Sequence, residues 1–247
     1  MASARDYLHS LGITAIQVGY ARIDPLDPLR ALDTFRAFAD RGELGLRTVL
    51  GLRWNDQRGV GQVDDLVAAR RRVSGGLIDA STVKSFLDGV IEQQTAVLID
   101  DYSDRAGYRG ELQIDRDLLK RAVTALDAAG FQVHVHAIGD GAVRAALDAF
   151  EAARERNGVT DHRHHIAHAQ FVHPEDRARF ARLNVTATVS PVWAGGEDAF
   201  LSELTLPRVG AERYTWTYPL RDLLDAGGRI AFGSDWNVST PDPLQGI

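Results

Sequence analysis

The first pattern with chemical content is in the segment 130–140, Gly-Phe-Gln-Val-His-Val-His-Ala-Ile-Gly-Asp, which carries His134 and His136. Two residues apart on a strand, they share one face, and an imidazole pair of this kind can bind a metal ion. The competing reading is a pair of partly buried, hydrogen-bonded histidines. His136 is the sharper candidate, because it is the last strand residue before a glycine-containing turn. The segment 163–170, Arg-His-His-Ile-Ala-His-Ala-Gln, supplies His164, His165 and His168. On a regular strand His164 and His168 share a face but stand roughly 13 Å apart, too far to hold one ion together. His168 lies at the C-terminal end and is the candidate ligand; His162, His164 and His165 read as loop or early-strand residues. His9 and His173 have no special context.

Asp235 ends the apolar run Ile230-Ala-Phe-Gly-Ser-Asp-Trp236. A carboxylate at the tip of such a strand is expensive to bury unless it meets a cation or donors. Lys84 sits inside Thr82-Val-Lys-Ser-Phe-Leu-Asp-Gly89, where a charged amine also needs a partner. From the residues alone, Lys84 could pair with a carboxylate, form a Schiff base, or be carboxylated to become a metal ligand. Trp54, Tyr102, Trp193 and Trp236 are candidate pocket-lining aromatics, against the commoner role of an aromatic as core or rim.

Positioning these groups requires strands that end side by side. Candidate strands are Ile13–Gly19, Arg47–Leu52, Thr82–Leu87, Phe131–His136, His164–Ala169, Val185–Ser190 and Arg229–Gly233, apolar on both faces or nearly so, as in a buried parallel sheet. Helical patterns separate them. Asp115–Ala129 lines up Leu118, Leu119, Ala122, Val123 and Leu126 and stops at Gly130; Gly141–Arg156, His173–Leu183 and Tyr218–Ala226 follow. Strand, helix, strand without hairpins implies right-handed βαβ units. A doubly wound open sheet competes with a (β/α)₈ barrel, but titratable residues at the ends of several strands suit a barrel mouth better than one crevice.

The 247 residues allow one such barrel, and no linker or repeat divides them. Apolar residues at 45% and charged residues at 25% are those of an ordinary globular protein. No apolar run approaches the roughly 20 residues of a membrane span, and the first ten residues lack the apolar stretch of a signal peptide, so a cytoplasmic location is expected. With no cysteine, a transition metal would depend on His, carboxylate or modified Lys. A net charge of −6 gives no reason to expect nucleic acid.

Leu11-Gly-Ile-Thr-Ala15, Val83-Lys-Ser-Phe-Leu-Asp-Gly-Val90, Val135-His-Ala-Ile-Gly-Asp140, His165-Ile-Ala-His-Ala-Gln170 and Phe232-Gly-Ser-Asp-Trp236, in this order, resemble the amidohydrolase superfamily. The nearest pattern is its amidohydrolase-3 branch, which includes N-substituted formamide deformylases. The resemblance implies a (β/α)₈ barrel holding one or two divalent metals, usually zinc. It implies Lys84 as a carboxylated bridging lysine of family strand 4, His136 and His168 as ligands from strands 5 and 6, and Asp235 as the strand-8 carboxylate. It also implies that the first candidate strand is family strand 2. A strand-1 His-x-His pair and a β-sandwich belong to the family pattern and are not found in these residues. His134 and His136 do not supply that pair, since only 111 residues follow, against the more than 200 that eight βα units need. Residues 1–247 are therefore expected to be a partial barrel, strands 2–8, from a longer gene product or a truncated reading frame. Its outer strands would then present unpaired edges. Ala167, Ser190 and Asn237 stand where the family often has Glu, Gln and Pro.

The implied chemistry is hydrolysis of a non-peptide, amide-type carbon–nitrogen bond in a small molecule. The metal would activate water, and Asp235 would act first as general base and then as acid. A non-catalytic remnant or binding protein is the alternative. A Schiff-base aldolase using Lys84 leaves His136, His168 and Asp235 without a shared task. A second copy of the chain is a further candidate partner.

Overall fold

The structure, a computed structural model, describes residues 1–23, 30–195 and 200–247, with Phe200 described in its backbone only. Seven strands form one sheet: β1 (Ala15–Ala21), β2 (Arg47–Arg53), β3 (Ile78–Phe86), β4 (Gln132–Ala137), β5 (His165–His168), β6 (Thr186–Val189) and β7 (Arg229–Phe232). They are arranged in sequence order, and every neighbouring pair is parallel. A doubly wound sheet must reverse its strand order partway. This one never does, so the barrel-type reading holds and the open-sheet alternative falls. The sheet curls far enough to bring its ends together: the rings of Tyr7, ahead of β1, and Trp236, beyond β7, have centroids 6.0 Å apart.

The connecting helices are α1 (Ala2–Ser10), α2 (Ala31–Asp40), α3 (Val63–Val73), α4 (Arg116–Ala128), α5 (Asp140–Asn157), α6 (Pro174–Arg182), α7 (Pro191–Ala194), α8 (Leu206–Tyr214), α9 (Leu220–Asp225) and α10 (Pro243–Gly246). Local chemistry sets several of their ends. The Asp115 carboxylate accepts the backbone N–H groups of Asp117 and Leu118 and starts α4. Pro174 opens α6, where a missing N–H is harmless, and the His173 ring accepts from Glu175 N.

Leu50, Leu52, Val83, Val133, Val135, Ile166 and Ala187 of the sheet meet Leu66, Leu119, Val123, Leu126, Val143, Leu147 and Phe150 of the helices in the main core. Each fully buried side chain of this size contributes about 1.5–3 kcal/mol. The strand β3 begins at Ile78, four residues before the apolar run seen in sequence, because Asp79 and Ser81 alternate outward at its first turns. The outer strands are the least covered. Phe232 on β7 is 64% exposed, and β1 alternates exposed and half-buried positions until Ala21.

Candidate metal centre

Parallel register stacks the candidate residues in two layers inside the curl. In the lower layer Lys84 pairs in register with His134, and His134 with His165. The Lys84 Nζ and His134 Nε2 atoms are 3.0 Å apart, and the rings of His134 and His165 meet edge-on with centroids at 4.2 Å. In the upper layer Phe86 is in register with His136, their centroids 5.4 Å apart. The His136 and His168 rings come within 4.5 Å, and Trp193 lies 5.9 Å beyond His168.

A regular strand would turn His168 to the opposite side, because it is in register with Ala137, whose side chain packs in the core against the helices. Positive φ values of 74° at His168 and 43° at Ala169 break the alternation and swing the imidazole to His136. This corrects the sequence expectation that His164 and His168 share a face. His164 lies on the helix side, stacked on Phe150 at 4.9 Å, with Nδ1 accepting Val133 N–H and Nε2 on the Asp127 carboxylate. His165 was assigned to the strand start and in fact lies among the interior histidines. Its signal in the sequence was parity with a strand break at His168, which the residue types do not announce.

The upper layer is held by a residue that sequence reading passed over. Asp88 is buried, and its carboxylate accepts the N–H groups of Ile138, Gly139 and Val97. It thereby ties the segment after β3 to the turn after β4 that carries His136. The His136 Nε2 atom lies 3.2 Å from Gly89 O and 3.6 Å from Asp88 Oδ1. The turn fits only because residue 139 is glycine: a Cβ there would stand 2.1 Å from Val97 O. The available signal was the Asp-Gly pair just past a strand tip.

Burial governs the electrostatics. Desolvation lowers Lys84 to about 7, partly opposed by the charge of Asp235. Desolvation, with repulsion from His168 and Lys84, holds His136 down to about 3. The same effects, burial first and Lys84 next, bring His165 and His168 to about 4 and push His134 well below its ordinary value. Burial also raises Asp88 to about 7 against its three backbone donors. Near neutrality the interior thus presents neutral imidazoles and an amine divided between its neutral and charged forms.

Asp235 lies on the solvent-facing side, three residues past β7, with φ 54°. Trp193 is half-buried and Trp236 is 42% exposed, both near the mouth. Trp54 and Tyr102 are placed differently: at 2% and 1% exposure they are packed in the two hydrophobic clusters, with the Tyr102 hydroxyl donating to Ala96 O.

Among the described residues, no group of three His, Asp or Glu side chains is already gathered as a metal site. The donor chemistry nevertheless fits a divalent ion. Metal-binding imidazoles must be neutral, and here they are held so. His134 Nδ1 and His165 Nε2 are buried with no hydrogen-bond partner, and Lys84 supplies an amine that can take up CO₂.

A profile of the Amidohydrolase family (Amidohydro_3) matches residues 1–247. The chain is 34% identical over 168 residues to Protein LONG AFTER FAR-RED 3 of Arabidopsis thaliana, covering 67% of this chain and 28% of that protein. It is 30% identical over 176 residues to the putative amidohydrolase YtcJ of Bacillus subtilis, covering 71% and 32%. Its fold superposes with a TM-score of 0.78 and 26% identity on an uncharacterized metal-dependent hydrolase from Pyrococcus furiosus, covering 99% of this chain and 47% of that one. The chain therefore spans about a third or less of these curated relatives' length. It belongs to the amidohydrolase family.

Proposed function

We propose that this chain is part of a metal-dependent hydrolase acting on a non-peptide, amide-type carbon–nitrogen bond in a small molecule, and that residues 1–247 form a partial barrel domain within it. The observation that supports this most is the environment of Lys84, a buried amine brought to about 7 and ringed by imidazoles kept neutral. The neutral amine adds to CO₂ and releases one proton, leaving a carbamate whose oxygens replace an ammonium unsuited to metal. Lys84 in that form, His136, His168 and Asp235 would hold the ion, which we take to be zinc. When bound, the ion supplies water activation and polarisation of the substrate carbonyl. Asp235 accepts a proton from the attacking water and returns it to the leaving nitrogen. Asp88 keeps His136 aimed, and Trp193 and Trp236 flank the entrance.

A second reading, a non-catalytic remnant with an incomplete site, draws on the lack of a preassembled three-ligand group among the described residues. Zinc content and amide hydrolysis, measured on the chain and on Lys84→Ala after incubation in bicarbonate, separate the two. Stoichiometric zinc with turnover, both lost in Lys84→Ala, supports the hydrolase. Absence of both in the wild-type chain supports the remnant.

A further inference from the structure

The end of α5 carries a residue pair that the proposed chemistry does not use, Asn157-Gly158. Both members answer structural demands. Gly158 stops the helix with φ 87° and ψ −171°, a region of backbone space open essentially to glycine alone. Asn157 uses both protons of its side-chain amide: Nδ2 donates to Thr124 O at 2.9 Å and to Asp127 Oδ2 at 2.8 Å. It thereby joins the end of α5 to α4 and to the Asp127 carboxylate. The other carboxylate oxygen accepts from Thr160 Oγ1 at 2.9 Å and lies 3.1 Å from His164 Nε2. His164 in turn accepts the Val133 N–H on Nδ1, so this knot holds the entry of β5 beside β4. The same two demands create a chemically labile pair. Asparagine is a thermolabile residue, and a following glycine leaves its backbone nitrogen unhindered: both residues are exposed, and a Cβ on Gly158 would meet nothing within 4 Å.

We infer that Asn157 is a modification site, converted without an enzyme to aspartate and isoaspartate through its own backbone, and that the Asp127 knot sets the rate. The Gly158 nitrogen attacks the side-chain carbonyl carbon of Asn157, and the new C–N bond closes a five-membered imide. The side-chain nitrogen departs as ammonia, taking the Gly158 N–H proton with it. Water then opens the ring at either carbonyl, which gives aspartate or isoaspartate. Water is the only co-reactant, and nothing is oxidised or reduced. The fold holds this reaction back twice. The Gly158 N–H is bonded to Arg154 O at 2.9 Å, and the amide that must leave is tied to Thr124 and Asp127. Conversion therefore waits on opening of the last turn of α5, a local event distinct from global unfolding. Once complete, it does not reverse. A carboxylate replaces an amide that donated to Asp127, so two negative groups meet where a hydrogen bond stood. The repulsion falls on the carboxylate that also meets His164, and so loosens the entry of the strand carrying His165 and His168. None of this rests on the hydrolase reading.

The test is peptide mapping by mass spectrometry of the full chain held at mildly alkaline pH, with the same chain in guanidinium chloride as the unfolded reference. Conversion reads as the mass difference between an amide and an acid at residue 157. The folded chain is expected to convert about tenfold or more slowly than the unfolded one. Asp127→Ala, which removes one acceptor of the Asn157 amide, raises the folded-chain rate several-fold. Asp88→Asn, destabilised at a distant point, does not. The converted chain, separated by its added negative charge, melts below the unmodified chain. The rate and melting comparisons use the wild-type sequence, so they decide the matter even if Asp127→Ala does not fold. Asn157 intact in the folded chain after about a hundred half-lives of the unfolded reference overturns the inference. So do equal rates in the folded and unfolded chains, equal acceleration in the two variants, or unchanged melting of the converted chain.

Discussion

The Lys84 amine and the His134 ring form a buried pair, Nζ to Nε2 at 3.0 Å. The ring's other nitrogen, Nδ1, is buried with no partner. The pair is therefore half satisfied and sensitive to loss of either member. Lys84→Met and His134→Phe should each destabilise the fold by about 1–3 kcal/mol. The double variant should cost about 1 kcal/mol or more less than their sum, because each single change strands the other group. Urea unfolding of the four proteins measures this, and strictly additive costs would show that the contact does not couple them.

Asp88→Asn should be more damaging than its small change of volume suggests. Oδ2 accepts from Val97 N and Gly139 N, and Oδ1 from Ile138 N. An amide has one oxygen, and its NH₂ group would face backbone donors. A loss of about 2–4 kcal/mol is expected, with faster hydrogen exchange at Val97, Ile138 and Gly139. Unchanged exchange at these three amides would remove Asp88 from its structural role.

The Asp127 carboxylate gives the fold a dependence on acid. Burial alone would raise it, but His164, Asn157 and Thr160 donate to it and bring it down to about 2. A depressed carboxylate stabilises the folded state above its unfolded value, near 4, and loses that contribution as pH falls toward 2. Asp127→Asn should thus unfold about 2 kcal/mol more easily at pH 6, and the gap to wild type should narrow as pH falls from about 4 to about 2. A gap that stays constant across this range would contradict the assignment.

Metal binding should register as stability. An ion that binds only the folded chain raises its unfolding free energy by about 2.7 kcal/mol at one hundred times its dissociation constant. Zinc in bicarbonate buffer should raise the melting temperature of the wild-type chain, and a chelator should reverse the rise. His136→Ala, His168→Ala and Lys84→Ala should each abolish it. An equal rise in all three variants would point to adventitious binding elsewhere.

The sheet and its strand order were legible because apolar runs and helical periodicity alternate without ambiguity, as at Phe131–His136 followed by Gly141–Arg156. Lys84 and His136 were found for a related reason: strand parity alone assigns their faces. His165 and His168 were harder, since two left-handed residues, His168 and Ala169, break the parity and nothing in Ile-Ala-His-Ala marks them. The burial of Trp54 and Tyr102 was not legible, because residue type carries no record of it. Asp88 was invisible for a different reason, as its partners are backbone N–H groups brought in from 9 to 51 residues away.

The Asp88 clasp has a practical meaning for redesign. It seizes the long β3–α4 connection at Val97, and the Ile99 N–H on Asp140 and the Gln113 amide on Asp88 O tie down two further points of it. Residues 88–97 and 138–141 therefore behave as one casting with the histidine layer, and a graft that crosses Val97 would disturb the chemistry it meant to spare. Exchanges confined to the exposed residues 103–107 reshape the rim while the imidazoles keep their aim.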